Sequence, residues 1–230
     1  MDLQSRRWLA NRDAIVRPAD SRHFADDILA ELAASRFRPS AWASFMGRSL
    51  ARSVDQVRKR PTAAMEVTGL HLLLGRGGSR RWAWVSWFLC ITHLGLFGER
   101  STLGWPNRLT LLRALLPALA PDSRWTSLVA LATDFADGRL ARRGEESAFG
   151  AFADPVADGF FWSWFALRWE PNRLLRWAPL TLFATSVGGI SIAYFARGRV
   201  INYPRPVALR YLSGATQIIF ALRTLRLVAQ

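Results

Sequence analysis

The sequence predicts an all-α fold: a polytopic membrane bundle of five to six apolar helices that follows an amphipathic helical extension. The first observation is a rapid succession of apolar runs after residue 80. The second is that tryptophans lie near the ends of several runs, as in the aromatic belts at membrane surfaces. The runs lie near 82–97, 107–120, 125–140, 153–169, 177–196 and 206–228.

The composition agrees with a membrane location. Half of the 230 residues are hydrophobic, yet the formal net charge is +14, a combination that is rare in soluble domains. The charge indicates an anionic partner, either nucleic acid or an anionic membrane surface. The apolar runs favour membrane lipids, so we expect no nucleic-acid partner. Cys90 is the single cysteine, which excludes an internal disulfide and a cysteine metal cluster.

Residues 1–80 are predicted to form the basic, amphipathic extension, and residues 81–230 the membrane domain. Asp20 or Ser21 is placed to cap a first helix. A clearer helix follows Pro39 and is either an interfacial helix on anionic lipid or a helix packed on its own protein. Its apolar residues at helical spacing are Trp42, Phe45, Met46, Leu50, Val54 and Val57.

Several of the apolar runs are short for membrane spans. Only 177–196 and 206–228 comfortably reach the roughly 20 residues that a span needs. A soluble all-α core is therefore an alternative interpretation. If 82–97 crossed the membrane, Arg76, Arg80 and Arg81 would lie outside, against the positive-inside rule. An interfacial or re-entrant segment is favoured there.

Two pairs of aspartates flank the predicted turn between two apolar helices. Asp134 and Asp137 are three residues apart, and Asp154 and Asp158 are four apart, so each pair shares a helix face. A hairpin that turns through residues 139–149 would bring the pairs together. Their repulsion is relieved by divalent cations, and oxygen-only ligands favour Mg²⁺ or Mn²⁺. Such a site suits phosphoryl chemistry, with a carboxylate free to take a proton from an attacking hydroxyl.

Small residues accompany the aspartates. Gly138 and Gly150 have no side chain, which leaves room for a nucleotide against the backbone, and Ala141 could serve the same end. Residues 134–158 match D-x2-D-G-x2-A-R-x7/8-G-x3-D-x3-D at every fixed position, including Arg142. In this motif the chain resembles the CDP-alcohol phosphotransferase family.

The resemblance implies a role for each matched residue. Asp134, Asp137 and Asp154 would bind two metal ions, and Asp158 would be the catalytic base while also touching metal. Gly138, Ala141, Arg142 and Gly150 would form the cytidine nucleotide site. The resemblance also implies a membrane-integral enzyme with its site facing the cytoplasm, and a homodimer.

A second stretch supports the same resemblance. Pro106, Asn107, Thr110 and Arg113 resemble the P-N-x-x-T-x-x-R opening of the first core helix in phosphatidylglycerophosphate and cardiolipin synthase-like members. Asn107, Thr110 and Arg113 share a face and are assigned to the nucleotide site. Arg113 should face the bundle interior and pair with phosphate or carboxylate. The alternative is an N-cap at Asn107 and an arginine that snorkels to the surface.

The expected reaction is transfer of a phosphatidyl group from a CDP-linked donor, most plainly CDP-diacylglycerol, to an alcohol, with release of CMP in phospholipid biosynthesis. The mirror reaction, in which a small CDP-alcohol donates to a lipid hydroxyl, uses the same site. Arg197, Arg199 and Arg205 either bind a phosphorylated acceptor or are positive-inside residues without a substrate role. The rival classes are a membrane prenyltransferase, which also uses Mg²⁺ and diphosphates, and a non-catalytic membrane scaffold.

Overall fold

The structure, a computed structural model, describes residues 19–98, 100–140, 147–200 and 207–228. All regular structure within these ranges is helical. The helices are α1 (Ala19–Ala34), α2 (Pro39–Lys59), α3 (Pro61–Leu74), α4 (Arg80–Thr92), α5 (Gly104–Leu119), α6 (Thr126–Leu140), α7 (Ala148–Trp169), α8 (Arg173–Arg197) and α9 (Val207–Val228), with a 3-10 turn at Leu94–Phe97. The all-α prediction is confirmed for these residues.

Local sequence signals explain where several helices begin. The side chains of Ser79, Ser147 and Asn172 accept hydrogen bonds from backbone N–H groups in the first turns of α4, α7 and α8. These caps satisfy donors that a helix start leaves without a partner. Pro39 and Pro61 begin α2 and α3, where a missing N–H costs nothing.

The extension α1–α3 packs on the protein in an unexpected orientation. α1 buries Ile28, Leu29 and Leu32, as its amphipathic pattern requires. α2 instead buries Ser53 and Gln56. Four of its apolar residues face outward: Trp42, Met46, Leu50 and Val54 are all exposed. Most of the apolar face of α2 is therefore not the surface by which this helix packs on its own protein.

Helix α5 is the centre of the bundle. It packs against α3, α4, α6 and α7, while α8 covers α7 and α9 lies on α6 and α8. Its first half joins a core with Phe97 and Phe149, and its second half joins one with Phe161 and Phe220. The N-terminal half of α5, the C-terminal end of α6 and the N-terminal end of α7 consequently lie at the same end of the bundle.

Helix length limits how many helices can cross a membrane. α4, α5 and α6 have 13, 16 and 15 residues. At 1.5 Å per residue they are at most about 24 Å long, short of the roughly 30 Å hydrocarbon core. Among the described helices only Arg173–Arg197 is long and apolar enough to span, with 25 residues and a mean hydropathy of 1.4. The prediction of a polytopic bundle is therefore not confirmed, since only one described helix qualifies as a span.

Helix α8 is little covered by the rest of the described chain. Only 6% of its most apolar stretch is buried. A soluble core helix of this composition would be mostly covered, since exposing a long apolar surface to water is unfavourable. The exposure of α8 favours the membrane interpretation over a soluble all-α core.

Candidate active site

The four motif aspartates converge on one buried guanidinium. Arg113, in the middle of α5, is 0% exposed. Its Nη1 atom lies 2.9 Å from Asp137 Oδ2 and 3.7 Å from Asp134 Oδ1. Its Nη2 atom lies 3.1 Å from Asp154 Oδ1, and its Nε atom 2.6 Å from Asp158 Oδ1. The two pairs of carboxylates therefore come together on Arg113, as predicted, although most of the predicted turn lies outside the described residues.

Helix geometry places each carboxylate. Asp134 and Asp137 lie in the last two turns of α6, and Asp154 and Asp158 lie on successive turns near the start of α7. Residues three or four apart share a helix face, so both pairs are directed at α5 between them. The prediction that Arg113 faces the interior and pairs with carboxylate is confirmed by the ion pairs, and the snorkelling alternative is wrong.

Thr110 adds a hydroxyl to the same cluster one turn before Arg113. Its Oγ1 donates to Asp154 Oδ1 and lies 3.5 Å from Asp137 Oδ2. It is buried, as is Asp137, whose side chain is 5% exposed. The side chains of Asp134, Asp154 and Asp158 are 42%, 30% and 23% exposed. The cluster therefore has a closed side at Asp137 and an accessible side at the other three carboxylates.

Asn107 is buried beside the start of α7. Its Nδ2 atom donates to Leu103 O and lies 3.1 Å from Ser147 Oγ, and Ser147 Oγ donates to Asn107 Oδ1 at 3.2 Å. A Cβ atom at Gly150 would lie 2.7 Å from Asn107 Oδ1. The space at Gly150 thus admits the Asn107 amide, which links α5 to α7. Their assignment to the nucleotide site stays a prediction.

The other predicted site residues lie near the same end of the bundle or outside the described residues. Gly138 is half-buried in the last turn of α6. Arg197 ends α8 and is exposed, as is Arg199. The connection between α7 and α8 spans only residues 170–172, so the helices are antiparallel and Arg197 lies at the aspartate end. Ala141, Arg142 and Arg205 fall outside the described residues.

Two residues that sequence reasoning missed shape the site. Ser147 caps α7 through Gly150 N at 2.9 Å and binds Asn107 as well. Its signal was a serine three residues before the motif glycine, the usual spacing of an N-cap. Gly159 follows Asp158, and a Cβ atom there would lie 2.0 Å from the Phe183 ring of α8. α8 therefore packs closely against α7 next to the last motif aspartate.

The donor chemistry of the cluster fits a divalent cation. No three His, Cys, Asp or Glu side chains in the described parts of the chain are grouped as a metal site, because Arg113 lies between the carboxylates. Four ionised carboxylates and one guanidinium nonetheless leave a formal charge of −3. Asp158 Oδ1 and Arg113 Nε are buried without a hydrogen bond of normal geometry, although they lie 2.6 Å apart. Accessible oxygen donors with surplus negative charge suit Mg²⁺ or Mn²⁺.

The fold and the cluster define a helical protein with a carboxylate-rich site suited to charged phosphate groups. A model of the CDP-alcohol phosphatidyltransferase family matches residues 103–228, more than half of the chain, and the chain belongs to this family. Neither a curated protein nor a solved structure matches it. Members of the family are enzymes that transfer substituted phosphate groups, are generally dependent on divalent metal and are typically integral to membranes. The match begins at α5 and leaves α1–α4 outside.

Proposed function

We propose that the chain transfers a phosphatidyl group from CDP-diacylglycerol to an alcohol and releases CMP, as a step of phospholipid biosynthesis. The observation that carries the proposal is the convergence of all four motif aspartates within 3.7 Å of the Arg113 guanidinium. A scaffold that only bound membranes would need no such cluster, since four carboxylates beside one arginine carry surplus negative charge. A prenyltransferase gives no reason for the glycines of the motif.

Asp158 is the proposed base. The acceptor oxygen forms a bond to the β-phosphorus of the donor, the phosphorus–oxygen bond to CMP breaks, and Asp158 receives the hydroxyl proton. Asp158 suits this role because its side chain is partly exposed. Its Oδ1 atom is buried against Arg113 Nε, which leaves Oδ2 as the oxygen proposed to take the proton. General base catalysis contributes about 10²- to 10⁴-fold to such reactions.

The remaining aspartates are the proposed metal ligands. Asp134, Asp137 and Asp154, with Asp158, would hold two Mg²⁺ or Mn²⁺ ions, which neutralise diphosphate charge and stabilise the leaving phosphate when bound. Arg113 and Thr110 position these carboxylates from α5. Arg113 is buried behind them, so it acts on the substrate through the carboxylates that it orients.

The acceptor and the membrane placement are also part of the proposal. Arg197 and Arg199 lie at the aspartate end of the bundle, where they are placed to attract a phosphorylated alcohol. α8 spans the bilayer, and the apolar face of α2 inserts among lipids with its arginines at the headgroups. We propose that the site faces the cytoplasm and that the protein is a homodimer.

The test measures CMP release by purified protein in liposomes with CDP-diacylglycerol, Mg²⁺ or Mn²⁺, and a panel of alcohols. We expect metal- and acceptor-dependent CMP formation that Asp158→Asn lowers by about 10²- to 10⁴-fold. The matched control is Asp122→Asn. Asp122 lies in the connection between α5 and α6, is 80% exposed and pairs with Arg168 of α7. The control should retain wild-type activity.

Two negative results have different meanings. Cytidine nucleotide binding without CMP release on the whole panel would favour the mirror reaction, in which a small CDP-alcohol donates to a lipid. Absence of both binding and turnover would refute the proposed enzyme activity and leave the membrane scaffold.

A further inference from the structure

An apolar cavity of about 310 Å³ lies between α4, α5 and α7. Its walls include Val85 and Leu89 from α4, Ala114 from α5, and Ala153 and Val156 from α7. The volume is roughly twice that of an engineered cavity of about 150 Å³ that stays dry and binds benzene. Such a lining offers few hydrogen bonds to water and favours a hydrocarbon ligand.

Aromatic side chains are in contact at both ends of the cavity. Trp82 of α4 meets Phe160 of α7 edge to face at 5.9 Å, and its indole N–H donates to Ala114 O at 2.8 Å. At the other end the His93 ring stacks on Phe152 at 4.0 Å. Phe152 and Phe160 are eight residues apart, which is about 12 Å along the helix. Between these pairs small side chains leave an elongated space.

The cavity adjoins the aspartate cluster. Thr110 lines the cavity, and the hydroxyl of the same residue donates to Asp154. The cavity and the aspartates therefore both adjoin Thr110, near enough for one lipid to have its phosphate at the aspartates and a hydrocarbon chain in the cavity. The cavity also has an opening toward the outer surface, since Val85 in its lining is 55% exposed. Its neighbours Trp84 and Phe88 are exposed apolar residues that suit contact with lipid.

We propose that this cavity holds one alkyl chain of the lipid substrate, and that α4 selects the chain. This inference rests on the proposed function, because it assumes that the group bound at the aspartates belongs to a lipid. α4 lies outside the family match of residues 103–228, so the selecting wall is supplied by the part of the chain that the family does not define. An alkyl chain in this space buries apolar surface against a mostly apolar lining.

The first test alters the cavity at its exposed wall. Val85→Trp adds bulk to the lining, and Phe88→Trp makes a similar exposed change one turn away, outside the lining. We expect Val85→Trp to lower the ratio of kcat/KM for long-chain over short-chain CDP-diacylglycerol by about tenfold, the scale by which pockets discriminate small apolar changes. Phe88→Trp should leave the ratio unchanged. Equal ratios in both variants and the wild type would overturn the inference.

The second test does not depend on turnover. Protein in liposomes is irradiated with CDP-diacylglycerol that carries a diazirine in one acyl chain, and the labelled residues are mapped by mass spectrometry. We expect label on Leu89, Phe152 or Val156, competed by unlabelled CDP-diacylglycerol and not by phosphatidylcholine. Label confined to Trp84 and Phe88, or competed equally by any phospholipid, would overturn the inference. Competed label without CMP release would support the cavity while refuting the proposed reaction.

Discussion

Replacing Arg113 by methionine removes the one cation that faces all four motif aspartates. The variant keeps a long apolar side chain, so the change is chiefly in charge and hydrogen bonding. Only Asp137 among the four is buried, with 5% of its side chain exposed. Breaking a buried ion pair by removing one partner costs about 3–5 kcal/mol.

The other three aspartates add less to this free energy. Their side chains are 23–42% exposed, so water replaces much of what Arg113 provides, and each adds at most about 1 kcal/mol. We therefore expect Arg113→Met to lower the free energy of unfolding by about 3–5 kcal/mol through Asp137, and by at most about 3 kcal/mol more through the other three aspartates. Mg²⁺ should raise the Tm of the variant more than that of the wild type, since the unpaired carboxylates gain more from a cation.

The assay is thermal unfolding of purified protein in detergent, with Mg²⁺ or with a chelator, beside CMP release. Arg108→Met is the matched control on the same helix. Arg108 pairs with Glu66 at 3.0 Å, but the two side chains are 37% and 21% exposed. Such a pair contributes about 0.2–1 kcal/mol. Equal stabilities of the two variants, or a fully active Arg113→Met, would refute the view that burial makes Arg113 the organiser of the site.

Three further changes test the packing around the site by the same unfolding assay. Gly159→Ala should destabilise the fold by about 1–3 kcal/mol because the added Cβ overlaps Phe183. In a Phe183→Ala background the same change should have no added effect. An unchanged Tm in the single variant would contradict this explanation. Asn107→Ala should cost about 1–3 kcal/mol, since it leaves buried partners in α5 and α7 unsatisfied, and a Tm within error of the wild type would show that this link is not needed. Glu170→Gln should cost about 1.5–3 kcal/mol because the buried carboxylate accepts from Arg223 as well as from a backbone N–H; a variant that is no less stable would mean that the charge of Glu170 does not matter.

The aspartate cluster could be predicted from sequence because it depends mostly on local geometry. Spacings of three and four fix the faces of α6 and α7, and both helices pack on α5. The polar face of α5 followed from the same periodicity, so the pairing of Arg113 with carboxylate was foreseeable. The spacing could not predict that one guanidinium contacts all four carboxylates. This depends on how deeply α5 lies between the other helices.

The extension and the cavity depend on long-range packing. The pattern of α2 identified its apolar face, but not which side would meet the protein. Gln56 is buried there, and the Arg60 guanidinium hydrogen-bonds both the Gln56 side chain and Gly98 O. The cavity between α4 and α7 arises because aromatic side chains at both ends separate these helices. Contacts between residues so distant in sequence leave no periodic signal in either segment.

The two sides of the aspartate cluster have different parts in the proposed reaction. Asp137 Oδ2 is bound by Arg113 and approached by Thr110, so a metal ion at this residue would be expected to use its other oxygen. The side chains of Asp134, Asp154 and Asp158 are more accessible than that of Asp137. The closed side therefore holds the carboxylates in position. The accessible side offers the carboxylate oxygens that would bind metal ions and face the two substrates. This division explains how one arginine can hold the four carboxylates together while some of their oxygens stay available to ligands.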